Sequence, residues 1–155
     1  MKIKTIGLTL FLSVVAAALC FAADNPMMGT WKLNEGKSKL DPNGPKNNTV
    51  VYSADGEKMK ITVDGVDAKG KAIHSEWTGT ADGKDHPVTG SAGEDTRSYK
   101  KIDDRTLEFT SKKGGNVTTT GKVVVSADGK TRTVTHSGTS DDGKKFSSTV
   151  VYDKQ

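Results

Sequence analysis

Polar and apolar residues alternate along almost the whole chain after residue 24. In 28–34, Gly29, Trp31 and Leu33 share one side and Thr30 and Lys32 the other, which predicts a first strand. The same period of two, rich in Val, Thr, Ile and aromatics, continues to the end, and no window holds an apolar 3.6 period over three turns. The runs are separated by Asp55-Gly56, Asp82-Gly83, Asp128-Gly129 and Asp142-Gly143. Asp-Gly between alternating runs marks hairpins, because glycine reaches positive φ without steric cost. The unequal spacing of these phrases points to shared turn chemistry rather than a structural repeat.

Turn placement predicts which residues meet. A two-residue turn at Asp55-Gly56 sets Met59 opposite Tyr52 and Ile61 opposite Val50. A turn centred on Ala68 sets Val63 opposite Ile73 and Met59 opposite Trp77. A turn at Asp128-Gly129 pairs Val125 with Arg132, Val123 with Val134 and Gly121 with His136. A loop at Asp141-Asp142-Gly143 pairs Arg132 with Tyr152, Val134 with Val150 and Gly138 with Phe146. All four put apolar residues on a common face, as a consistent register must. Residues 96–102 and 106–111 form a further hairpin with Tyr99 opposite Phe109 or Ile102 opposite Leu107; a bulge would reconcile the two. His86-Pro87 to Gly93 reads as a short edge strand and a loop, and residues 34–48 support one helical turn around 38–40. The final strand, 146–152, is expected to return and pair with the first. About eight to ten strands in an all-β, up-and-down antiparallel barrel follow, with a two-sheet sandwich as the alternative.

A basic start (Lys2, Lys4), an uncharged stretch from Ile6 to Leu19 and a small residue at Ala22 describe a secretory signal peptide over 1–22. Cleavage there leaves residues 23–155 as a single domain, secreted or periplasmic, with no transmembrane helix. The single cysteine, Cys20, falls within the leader, so the domain has no disulfide; a lipid anchor on Cys20 is the rival reading. The formal charge of +4 is spread in alternating signs. That excludes the concentrated cationic face that nucleic-acid binding needs.

Threonines 131, 133 and 135 line one face of their strand and Arg132, Val134 and His136 the other. Threonine rows suit a solvent face, so Arg132 and His136 are expected inside. An inward guanidinium needs a partner, a wet barrel mouth or an anionic ligand. Arg132 therefore either caps one end, stacked on Trp31 or bonded to Tyr152, or anchors a ligand. His136, opposite Gly121 and Ser148, has room beside it. His74 and Glu76 fall on the outer face. His74, His86 and His136 are too scattered for a metal site, and no cofactor motif or catalytic constellation is present. The candidate ligand-binding set is Trp31, Trp77, Arg132, His136 and Tyr152, with both tryptophans readable equally as core.

Gly29-Thr30-Trp31, the hairpin-linked strands and an arginine late in the chain resemble the lipocalin-like superfamily, including fatty-acid-binding-like barrels. The phrases Gly29 to Asn34 and Asp82 to Gly90 look like small exported bacterial lipocalin-like proteins of uncharacterised function. The resemblance implies a Trp31 that plugs the barrel bottom, an Arg132 packed near it, and an Arg132–Tyr152 pair able to hold a ligand carboxylate. The chain lacks the lipocalin Thr-Asp-Tyr motif and the helical lid of fatty-acid binders. The expected function is carriage of a small, partly apolar or amphipathic molecule. The alternative is a solid barrel with a structural or interaction role, and enzymatic activity is not expected. Oligomeric state is not legible in the sequence.

Overall fold

A computed structural model describes residues 25–140 and 142–155; the expected leader over 1–22, Cys20 and Asp141 lie outside the described residues. Ten strands run in chain order: β1 Gly29–Leu33, β2 Lys46–Asp55, β3 Lys58–Val66, β4 Ala72–Gly79, β5 Asp82–Thr89, β6 Thr96–Asp103, β7 Thr106–Lys113, β8 Asn116–Val125, β9 Thr131–Thr139 and β10 Lys145–Lys154. Each pairs with its neighbours in sequence, and β10 returns to β1, so the sheet closes into an up-and-down barrel. Trp31 pairs with Lys154 and Leu33 with Tyr152 across that closing seam. Closure rules out the sandwich and leaves no free edge.

The late hairpins have the expected registers: Gly121 faces His136, Val134 faces Val150 and Gly138 faces Phe146. The early ones differ. Tyr52 pairs with Ile61 rather than Met59, because Asp55 pairs with Lys58 and the loop is Gly56 and Glu57. Gly56, at φ 61°, takes the first loop position, where a two-residue turn favours glycine. Likewise Ile61, not Met59, faces Trp77, and Val63 faces Ser75 rather than Ile73. The five-residue loop there is held by Asp67, whose Oδ1 accepts from the backbone N–H of Lys69 and of Lys71, both at 2.9 Å. Both corrections slide the pairing by two residues, so every side chain keeps its expected face.

Two further expectations are corrected, and one open choice is decided. The residues from His86 belong to β5, which is not an edge: it pairs with β6 and, through Glu76–Thr89 and Trp77–Val88, with β4. Tyr99 faces Phe109, while the bulge between Lys101 and Asp103 turns Ile102 outward, 46% exposed, away from Leu107. The helical turn is a 3-10 turn at Glu35–Lys37, earlier than 38–40, because Asn34 caps it by accepting from the Lys37 N–H at 3.1 Å.

The hairpin loops alternate between the two barrel ends. Loops β1–β2, β3–β4, β5–β6, β7–β8 and β9–β10 share one end, and β1 begins and β10 finishes at the other. At that second end Trp31 is fully buried and its indole N–H donates to the Met27 carbonyl at 3.0 Å. The other end is shaped by tight crossings. A Cβ on Gly65 would lie 2.3 Å from the Lys46 carbonyl oxygen. Gly65→Ala must therefore displace backbone, and urea unfolding is expected to show about 2 kcal/mol lost.

Candidate ligand-binding site

Alternation places one residue in two inside the barrel, and these do not fill it. A cavity of about 410 Å³ remains, within the range of small-molecule sites. Its walls are the inner faces of β2, β3, β4, β6, β7, β8, β9 and β10, including Val50, Tyr52, Ile61, Val63, Phe109 and Val134. Loop residues such as Pro42, Ala68, Ser91 and Ser140 also line it. All belong to loops at one end, which is therefore the mouth. The opposite end, where Trp31 and Met27 are buried, is the floor.

Arg132 sits near the floor, 2% exposed. Its guanidinium carbon lies 4.5 Å from the ring centre of Tyr152, 4.9 Å from that of Tyr52 and 5.2 Å from that of Trp31. Its Nε and Nη1 are buried without a hydrogen-bond partner among the described residues. Glu94, the carboxylate buried in the cavity wall, is taken by Arg97; Asp67 and Asp142 belong to the mouth loops. Stacking on aromatics recovers roughly 2 kcal/mol or more per desolvated ring. Burying a cation costs several kcal/mol. The rings offset much of that cost, but no buried carboxylate among the described residues neutralises the charge. Burial pushes the Tyr152 hydroxyl up to about 12, with Arg132 pulling against it, and burial raises Tyr52 further still. Both phenols are neutral donors beside the cation.

His136 lies four residues along the same face of β9, 8% exposed, edge-on to Phe146 at 5.7 Å. The space expected beside it is filled by the Phe109 ring: a Cβ on the facing Gly121 would meet that ring at 2.6 Å. Its Nε2 has no partner among the described residues. Burial, then the positive charge of Arg97, hold its pKa below the usual histidine value, so the ring is neutral at pH 7.

This depression carries a pH signature. The folded state binds the His136 proton more weakly than the unfolded chain does, so its contribution is complete above about pH 6.5 and is lost as pH falls through the folded pKa. The urea midpoint is expected to fall from about pH 7.5 to 5.5, and to fall less in His136→Phe. His74 acts oppositely: its hydrogen bond to Asp64 at 2.6 Å, and then that carboxylate's charge, raise its pKa. It is exposed and screened, so a His74→Asn background separates the two.

A second guanidinium in the wall was not foreseen. Arg97 Nε donates to Glu94 Oε2 at 2.9 Å and Ser111 Oγ at 3.2 Å, its Nη1 donates to the Tyr99 hydroxyl at 3.1 Å, and its Nη2 donates to Glu94 Oε1. The signal was present: Tyr99 read as inward places Arg97, two residues earlier, inward as well. Glu94 lies in the β5–β6 loop, where alternation gives no information.

The expected set divides. Arg132, His136 and Tyr152 line the cavity together; Trp31 and Trp77 do not. Trp31 is screened from it by the stacked Arg132. Trp77, 2% exposed, donates its indole N–H to the Arg97 carbonyl at 2.8 Å and packs edge-on against Tyr99 and His86. His74 and Glu76 face outward, 58% and 41% exposed. No helix among the described residues is long and apolar enough to cross a membrane.

No family model matches the chain, and no curated protein matches it. Among solved structures it is similar to a redesigned beta barrel, mFAP1, bound to DFHBI, with 16% identity over 83% of this chain and 95% of that one, at a TM-score of 0.46. A second redesigned beta barrel, b11L5F_LGL, has 14% identity over 84% of this chain and 92% of that one, at a TM-score of 0.45.

Proposed function

We propose that the protein is an exported lipocalin-like carrier that holds a small, partly apolar ligand with an acidic group inside the barrel. One observation carries this reading: the un-neutralised Arg132, 2% exposed, at the floor of a cavity of about 410 Å³. An anion meeting that guanidinium removes an electrostatic cost the folded protein otherwise bears. Aromatic and aliphatic walls above it suit an apolar body. Export is supported by the leader pattern over 1–22, and non-catalytic carriage by the lack of any nucleophile–base pair in the sequence. The solid-barrel alternative draws no support from the surface, where the exposed large apolar residues among those described are only Ile102, Val117 and Val124.

Native mass spectrometry of the gently purified protein, followed by titration with dodecanoate, tests the reading. A co-purifying mass, or saturable binding of one acid per chain, is expected. A clean apoprotein mass together with no saturable binding of dodecanoate would overturn it.

A further inference from the structure

Most polar groups in the cavity wall satisfy one another. Arg97 is shared among Glu94, Ser111 and Tyr99. Only two side chains combine a lining position, at least nine-tenths burial and an unpartnered nitrogen among the described residues: Arg132 and His136. The unpartnered Nε2 of His86 belongs to a ring seated over Gly79, away from the cavity. A protein interior rarely leaves two such groups in the wall of one cavity unless something else pairs with them.

The two residues stand on one strand face, four positions apart. Strand geometry separates their Cα atoms by about 13 Å along the strand. A ligand touching both must be extended, with its acid at the floor and a second polar group farther up. A plain hydrocarbon chain would cover the imidazole nitrogen without pairing it. A neutral imidazole nitrogen donates in one tautomer and accepts in the other. A hydroxyl answers either; a carbonyl or ether answers only one.

We infer that the ligand is an extended hydroxylated amphipathic acid, its hydroxyl hydrogen-bonded to His136 Nε2 and its acid group at Arg132. This inference rests on the carrier reading and narrows its ligand class. The two are separable by experiment.

The test uses dodecanoate and a set of hydroxydodecanoates with the hydroxyl moved stepwise along the chain, competed against a fluorescent apolar sulfonate, anilinonaphthalene sulfonate. One hydroxyl position is expected to bind about tenfold more tightly than dodecanoate, and His136→Leu to abolish that preference while still binding dodecanoate. In the wild-type protein the ¹⁵N resonance of the His136 Nε2 should move with the preferred hydroxy acid and not with dodecanoate. This second readout keeps the test intact should the variant fail to fold. If dodecanoate and every hydroxy acid bind equally and the imidazole resonance stays still, the inference is wrong and the carrier reading stands. If no acid displaces the fluorescent probe, both are wrong.

Discussion

Arg132→Met is expected to fold as stably as the wild type, to within about 1 kcal/mol, or more stably, and to bind dodecanoate about 50-fold more weakly. The two halves of this result belong together. Methionine approximates the length and volume of the arginine stem and fills the slot between Tyr52, Tyr152 and Trp31 without carrying charge. It forfeits the cation–π attraction but removes the burial cost of a guanidinium with two unpartnered nitrogens. Apolar replacement of a buried charge is often neutral or favourable. Uncharged dodecanol should change its affinity less than about threefold, because the walls are untouched. Calorimetric titration of both ligands, with urea unfolding of both proteins, decides the matter. A loss of about 3 kcal/mol in stability, with the acid's affinity unmoved, would show that Arg132 merely caps the floor.

Glu94→Leu is expected to lose about 3 kcal/mol of stability in urea unfolding, because it strands Arg97, whose side chain is only 14% exposed. The contrast with Arg132 is instructive. Both guanidiniums line the same cavity, yet one is anchored by a carboxylate and the other is not. Removing the carboxylate turns the first into the second without supplying a ring stack as close: Arg97 stands 5.9 Å from the Tyr99 ring centre and 5.8 Å from that of Phe109. Adding Arg97→Met to Glu94→Leu should restore stability to within about 1 kcal/mol of wild type, since the pair then leaves together. A double-mutant cycle giving a coupling below about 0.5 kcal/mol would show that the contact contributes nothing specific.

The barrel was legible because hairpin chemistry and alternation point the same way. The return of the last strand to the first was expected because a closed meander of hairpins leaves no free edge. Register was less secure where an Asp-Gly phrase allows more than one loop. At Asp55-Gly56 the glycine opens the loop, whereas Asp128 and Gly129 sit centrally within theirs. Face assignment survived both outcomes because a slip of two restores it. Arg132 and His136 could be read as inward from the threonines between and beside them. Trp31 and Trp77 could not be separated from the cavity wall, since inward orientation alone does not tell which inward side chain lies behind another. The Glu94–Arg97 pair joins a loop carboxylate to a strand, and no periodicity reports such a meeting.

Gln155 lies beside Trp31, since it donates its backbone N–H to the Thr30 carbonyl at 3.0 Å, and the entrance is at the opposite pole. Anything joined to the chain at Gln155 is held at the rear of the molecule. A biosensor surface or an affinity tag so attached presents the opening outward, free to exchange cargo with the surrounding fluid.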